Sequence, residues 1–219
     1  MNKLKIGFIV VGVLLIINLT LTGINILQNG LGGWDGRSVG EILGVPAEQA
    51  NIHHIEMLSK SEVMQLFLAA PAPELGELNG EYFAKPLPLG ILAPAADYYT
   101  HHFFGPGRWK GKAFHSVSAE AGEGYNIFAR KQDRNAIVLS RTRKLKTYIG
   151  KSNIDDKNSF HLDYSPFNSG LVHSMHDEIR KINDTLYLGM GYMGIGGGSI
   201  NPAPFVIYGR IGPWVGAQE

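Results

Sequence analysis

The chain opens with a long apolar segment, from Ile6 to Leu27, that carries no charged residue and follows Lys3 and Lys5. A helix of this length rises roughly 33 Å, enough to cross a hydrocarbon core of about 30 Å. We therefore predict a single-pass anchor over residues 1–27. The two lysines favour a cytoplasmic N-terminus, which puts the rest of the chain in the periplasm or at the cell exterior, beside the cytoplasmic (inner) membrane.

A cleaved secretory signal is the alternative for this segment, because its uninterrupted apolar core, Ile6 to Ile17, has the length of a signal h-region. The absence of an Ala-x-Ala-like cleavage site favours a retained anchor. Asn18 and Asn25 would need polar partners in or near the bilayer, which indicates a neighbouring helix in a membrane complex.

Glycine-rich residues 28–36 predict a flexible linker. Residues 37–78 predict a helical lead-in, because Ser-x-x-Glu capping boxes begin at Ser38 and Ser59. The second helix has one apolar face and ends before Pro71, so we expect it to pack across a barrel end or a sheet.

From residue 79 to 219 the pattern changes to short alternating runs of β-branched and aromatic residues, separated by Gly, Pro, Asn and Asp. These predicted strands lie at 80–86, 99–104, 109–118, 124–130, 136–149, 158–164, 171–182, 185–193 and 203–209. Closing such a meander removes exposed edges and encloses a cavity. The sequence thus predicts a mainly β domain, a lipocalin-like (calycin) antiparallel barrel of about eight to ten strands. A two-sheet sandwich is the alternative.

Composition and charge argue against several classes of partner and chemistry. The 20 basic and 19 acidic residues leave a net charge of +1, which argues against nucleic acid as a partner. With no cysteine, neither a disulfide nor lipid attachment at a cysteine can form. The sequence also contains no recognisable nucleophile or phosphate-loop motif.

Eight histidines raise the question of a metal or a haem. The pairs His53-His54 and His101-His102 would point to opposite faces of a strand, so neither pair supplies two ligands to one metal. We predict no metal and no cofactor. A haem held by one axial histidine, His102 or His115, is the low-ranked alternative.

Two stretches resemble a known family. Residues 71–92, PAPELGELNGEYFAKPLPLGIL, are similar to the start of the small GXWXG family, with Tyr82 where the family has Trp and Ala84 where it has its second Gly. Residues 162–193 resemble the uncharacterised domain that often follows GXWXG. The residues that carry this second likeness are Asp177, Arg180 and Thr185-Leu-Tyr-Leu-Gly189. The resemblance implies a lipocalin-like fold and a site region, without a settled activity.

A hairpin that turns at Asn183-Asp184 carries the predicted site, since both residue types accept the positive φ of a tight turn. A two-residue loop places Asp177 opposite Met190 and Met175 opposite Tyr192, on a face that is apolar except for Asp177. The opposite face, predicted to be an outward surface, carries His176, Glu178 and Arg180.

A carboxylate inside a barrel needs a cation or a raised pKa. The strand 136–149 offers Arg141 and Arg143 among aliphatic residues of one face, and a guanidinium there suits the carboxylate or phosphate of an amphiphile. The predicted ligand-binding residues are therefore Arg141, Arg143, Asp177, Met175, Met190 and Tyr192. A buried Asp177–Arg pair that only fixes the core is the structural alternative.

From these patterns we expect a membrane-anchored extracytoplasmic protein that binds a small lipid or other amphiphilic ligand. One alternative is an accessory subunit of a membrane protein complex. Another is an isomerase or hydratase acting on an apolar substrate, with Asp177 as acid/base beside Tyr164 or Tyr148.

Overall fold

The computed structural model describes residues 3–30, 32–131 and 136–218. The helices are α1 (Lys3–Leu27), α2 (Val39–Leu43), α3 (Ile52–Glu56), α4 (Lys60–Ala69), α5 (Ala93–His102) and α6 (Gly170–His173), with short 3-10 turns at Ala47–Gln49, Gly194–Gly196 and Gly198–Ile200. The strands are β1 (Gly80–Pro86), β2 (Arg108–Ser116), β3 (Gly122–Lys131), β4 (Ile137–Lys151), β5 (Asn158–Asp163), β6 (Met175–Asn183), β7 (Leu186–Met193) and β8 (Ala203–Gly212).

The eight strands form a closed antiparallel barrel in chain order, and β8 pairs with β1 to close it. This confirms the predicted lipocalin-like barrel. The strand predicted at 99–104 is wrong, because these residues lie at the end of α5 and just after it, in a helix with Pro94 in its first turn. The predicted strand 171–182 begins only at Met175, since α6 occupies the residues before it.

Two glycines make room for aromatic rings inside the barrel. A Cβ on Gly189 would lie 2.2 Å from the Phe205 ring, and one on Gly105 would lie 2.2 Å from the Phe128 ring. Only a residue without a side chain fits at either position. The inner core is therefore built from large rings packed directly against backbone.

The helical lead-in packs on the outside of the barrel. Both predicted capping boxes are present, at Ser38 and Ser59. The apolar face of α4, with Leu66 and Phe67, joins Met190 in a second core between the helices and the barrel wall. The predicted packing of this helix on a sheet is confirmed.

Arg180 ties this layer to the barrel. Its guanidinium donates to Asp155 Oδ1 at 2.7 Å and to the carbonyl oxygen of Ala70 at 3.1 Å, and it lies 4.6 Å from the centre of the Phe67 ring. Arg180 and Glu178 are fully buried. The face of β6 predicted to be an outward surface does point away from the barrel interior, but it is not open to solvent. The lead-in packs on Arg180, and the Asn153 N–H and the Tyr192 hydroxyl donate to Glu178 Oε1.

The end of α1 is fixed to the barrel rim by hydrogen bonds. Asn25 Nδ2 donates to Asn201 Oδ1 at 2.7 Å, the backbone N–H of Leu92 donates to Asn25 Oδ1 at 3.2 Å, and Lys60 Nζ donates to the Asn25 carbonyl oxygen at 2.8 Å. Asn25 thus finds its partners within this chain. The rest of α1 exposes its apolar side chains and is long and apolar enough to cross a membrane.

The glycine-rich linker is docked on the domain. The Gln65 side chain accepts a hydrogen bond from the Asp35 N–H and donates one to the Gly33 carbonyl oxygen. Trp34 lies under the Lys157 ammonium, 4.3 Å from the ring centre. These contacts hold residues that composition alone predicted to be flexible.

Candidate functional site

A cavity of about 750 Å³ runs from the barrel interior to the side of α1. Its floor is polar, with Trp109, Lys112, Tyr164 and Asp177. Above the floor its walls are mostly apolar. The wall residues include Met175, Phe205, Ala203, Ala96, Ile195 and Leu15.

A buried hydrogen-bond network occupies the floor. Lys112 Nζ donates to Asp177 Oδ2 at 2.7 Å, to the Tyr164 hydroxyl at 2.5 Å and to Asn126 Oδ1 at 3.0 Å. The Tyr164 hydroxyl donates to Asp177 Oδ2 at 2.9 Å, and Trp109 Nε1 donates to Asn126 Oδ1 at 3.0 Å. All three ammonium hydrogens are therefore engaged, as a buried lysine requires.

The Lys112 and Asp177 side chains are only 2% and 4% exposed. Burial lowers the pKa of Lys112, and the nearby Asp177 carboxylate opposes that shift. Burial and the same carboxylate raise the pKa of Tyr164 well above its ordinary value. The phenol therefore stays protonated and serves as a hydrogen-bond donor to Asp177.

Local strand geometry explains how these side chains meet. A bulge after Trp109 in β2 allows both Trp109 and Lys112 to point inward, because the extra residue reverses the alternation. Lys112 then shares the inner face with Phe114. Asp177 lies on the inner face of β6 between Met175 and Ile179, as the sequence predicts.

The two oxygens of the Asp177 carboxylate differ in their hydrogen bonding. Oδ2 accepts both the Lys112 and the Tyr164 hydrogen bonds, and Oδ1 has no hydrogen-bond partner among the described residues. Gly191 faces this oxygen, and a Cβ there would approach it to 2.8 Å. The floor thus presents a carboxylate oxygen whose charge is balanced by a neighbouring ammonium.

The two predicted arginines do not reach Asp177. Arg143 adopts a positive φ of 57° at a bulge in β4, which shifts the register and turns Arg141 to the outer face. There Arg141 makes a bidentate pair with Glu81, with Nε–Oε1 at 2.5 Å and Nη2–Oε2 at 3.1 Å. Arg143 Nε donates to the Phe104 carbonyl oxygen at 2.7 Å. The prediction that a guanidinium partners Asp177 is therefore wrong, and Lys112 is the partner.

The predicted hairpin register is also wrong by one residue. A bulge between Lys181 and Asn183 sets Asp177 opposite Gly191 and Glu178 opposite Met190. Met190 consequently lies outside the barrel, under the lead-in helices.

The other two hairpin residues divide between the faces. Met175 stays inside, and its sulfur accepts from the Tyr99 hydroxyl at 3.8 Å. Tyr192 borders the cavity, but its hydroxyl donates to Glu178 Oε1 at 2.9 Å on the outer face.

Of the two tyrosines predicted to assist Asp177 in acid/base chemistry, only one lies beside it. Tyr164 meets Asp177, whereas Tyr148 stacks on His161, with ring centroids 4.8 Å apart, away from the cavity.

Neither histidine proposed as a haem ligand lines the cavity. His102 packs against Tyr98 with the two rings tilted, and His115 stacks on Trp214. The pairs His53-His54 and His101-His102 lie on helices and not on strands. Within the part of the chain that the structure describes, no three His, Asp or Glu side chains are grouped to hold a metal ion.

Sequence reasoning missed Asn126 and, with greater effect on the site, Lys112. Its position two residues before Phe114 on a strand was the available signal, because alternate residues share a face.

The fold and the site define a closed, lipocalin-like β-barrel with a largely apolar cavity and an apolar N-terminal helix at its rim. No family model and no curated protein matches the sequence of this chain. A solved structure of a protein from Thermomonospora curvata is similar over 78% of this chain and 95% of its own length, with 12% identity and a TM-score of 0.45.

Proposed function

We propose that this chain is a membrane-anchored extracytoplasmic protein that binds a small lipid or other amphiphile in its barrel. The observation that carries the proposal is the continuity of one cavity, from the apolar side of α1 to the Lys112–Asp177–Tyr164 network. Apolar walls that end in a few fixed polar groups are the usual design of a site for a small molecule.

The size of the cavity supports a ligand rather than a packing defect. Its volume of about 750 Å³ lies within the range of known small-molecule pockets. Defects in well-packed cores are much smaller, because interiors are packed as densely as organic crystals.

The floor favours a particular head group. Lys112 and Asp177 neutralise each other, and the ammonium has no hydrogen left to donate. Asp177 Oδ1 is an acceptor, so it suits a hydroxyl, an amide or an amine. A carboxylate or phosphate head, which the sequence predicts through Arg141 and Arg143, would meet that oxygen with like charge.

The membrane assignment rests on α1. Its length and apolar surface fit a bilayer, and Lys3 and Lys5 at its start favour a cytoplasmic N-terminus. The barrel then lies on the periplasmic or external side of the cytoplasmic membrane. Asn25, one of the two asparagines that suggested a partner helix, is satisfied by this chain's own barrel, so the accessory-subunit alternative now rests on Asn18.

The test is to purify the full chain from membranes in mild detergent, extract it with solvent and measure bound lipid by mass spectrometry. Ala203 precedes Phe205 on the inner face of β8 at the mouth, so Ala203→Trp fills the cavity entrance. Ala119→Trp, in an exposed loop, is the matched control. We expect near-stoichiometric lipid in the wild type and control and its loss in Ala203→Trp. A folded wild-type protein without lipid would reject the proposal.

A further inference from the structure

The cavity does not end at the barrel mouth but continues as a groove along α1. The residues of α1 that line it are Val11, Leu14, Leu15, Asn18, Thr22 and Asn25. At about 100° per residue these positions fall within roughly 100° of the helix circumference, so they form one face. From Val11 to Asn25 the face extends about 21 Å along the axis.

The face of α1 that lines the groove is long compared with the thickness of the hydrocarbon core. The Asn25 end of this face lies at the barrel rim, so in a bilayer that α1 spans the Val11 end lies about 21 Å deeper, within a hydrocarbon core of about 30 Å. The groove is then open to the acyl chains of the surrounding lipids.

The second wall of the groove is α5 and the loop that follows β7. Ala93, Ala96 and Thr100 present small side chains to the groove, and Ile195 lines its other side while 76% exposed. Asp97, the charged residue of this wall, has Oδ1 3.3 Å from His101 Nε2, and burial lowers the pKa of that histidine.

The rim around this opening is apolar and lies at the end of α1. Ile91 donates its backbone N–H to Gln28 Oε1, and the carbonyl oxygen of Ile200 accepts from Asn29 Nδ2. Both isoleucine side chains are exposed. Exposed apolar side chains grouped beside a membrane helix are suited to contact with lipid.

We infer that the ligand is an uncharged membrane lipid whose head group donates a hydrogen bond, and that it enters the barrel sideways from the bilayer along α1 without crossing water. The inference rests on the proposed function. The donor head group follows from the acceptor at Asp177 Oδ1, and the lateral route follows from the groove lined by α1 and α5.

Two neighbouring positions on α1 make a matched test. Leu15 lines the groove, whereas Ile16 lies on the opposite side, and their exposures are 59% and 65%. Leu15→Trp obstructs the groove, and Ile16→Trp adds the same ring to the lipid-facing side. The probe is a monoacylglycerol with a photoreactive diazirine in its acyl chain, supplied in phosphatidylcholine nanodiscs that hold the full-length protein.

The readout is labelling of peptides from inside the barrel, around Trp109 and Met175, as a function of time before illumination. We expect Leu15→Trp to slow labelling by about tenfold and Ile16→Trp to leave it unchanged. Ile16→Trp, which lies outside the cavity lining, should also bind the probe like the wild type at equilibrium in detergent micelles.

The alternative outcomes separate the two proposals. No internal labelling of any protein, in nanodiscs or in detergent, would reject lipid binding itself. Equal labelling rates for the two variants would leave lipid binding intact and overturn the lateral route. Dimers cross-linked through α1, lost only in Leu15→Trp, would show that a second copy covers the groove and would also overturn it.

Discussion

Asp177→Asn tests the buried network most severely, because it removes one charge and almost no volume. The wild-type pair has Nζ and Oδ2 2.7 Å apart, with both side chains nearly inaccessible to water. The substitution leaves the Lys112 ammonium buried without a counter-ion. Removing one partner of a buried ion pair costs about 3–5 kcal/mol, mainly because the remaining charge is uncompensated.

The double variant Lys112→Met, Asp177→Asn tests whether the unpaired charge is the cause of the instability. It removes the Lys112 ammonium that Asp177→Asn leaves without a counter-ion, and Tyr164 can still donate to the new amide oxygen. Neutral replacements of whole buried pairs often cost little. We therefore expect the double variant to be more stable than either single variant, with strongly non-additive effects.

The assay is urea unfolding of the full-length protein in mild detergent, followed by tryptophan fluorescence. Asp156→Asn is the control, because Asp156 pairs with Lys151 at 2.8 Å on an open surface and its loss should change little. An Asp177→Asn protein as stable as the wild type would refute the reasoning. A double variant that loses the sum of the two single effects would refute it equally.

Two further predictions concern the rim and the inner core. Burial lowers the pKa of Lys60 from 10.5 to about 8, so between these values the folded protein binds fewer protons than the unfolded chain, and this lysine makes the free energy of unfolding rise with pH. Lys60→Met should remove that part of the slope in urea unfolding at a series of pH values, and an unchanged slope would contradict it. Gly189→Ala should destabilise the barrel by about 1–3 kcal/mol, because its Cβ meets the Phe205 ring. Gly194→Ala, where a Cβ meets nothing within 4 Å, is the control, and equal midpoints for the two variants would argue against this packing.

The fold was largely predictable from the sequence because alternation with a period of two is a local property of each strand. It identified β1 at its observed bounds, 80–86, and located the other seven strands to within a few residues. It failed at 99–104, where alternating aromatic residues belong to a helix end. There the pattern was too short to distinguish the two-residue period of a strand from the 3.6-residue period of a helix.

The candidate site was only partly predictable because bulges are not visible in an alternation pattern. The placement of Asp177 inside the barrel survives, since its neighbours on that face are apolar. One extra residue at Arg143 turned Arg141 outward, and one between Lys181 and Asn183 moved Met190 to the other face.

The identity of the counter-ion lies beyond local sequence patterns. Lys112 is 65 positions away from Asp177 in the chain and meets it only because the barrel closes. Period-two reasoning from Phe114 places this lysine on the inner face, but it does not say which carboxylate it meets.

The central claim, that a membrane lipid occupies the barrel, is tested most directly by quenching of Trp109. This side chain lines the cavity and is 5% exposed, and the chain has only 3 tryptophans, so Trp34→Phe with Trp214→Phe isolates it. The measurement is its fluorescence in nanodiscs containing a monoacylglycerol brominated in the acyl chain. We predict strong quenching of Trp109, and little quenching in a matched protein that retains only Trp214, which packs on Tyr125 outside the barrel. Unquenched Trp109 in a folded protein would contradict the account.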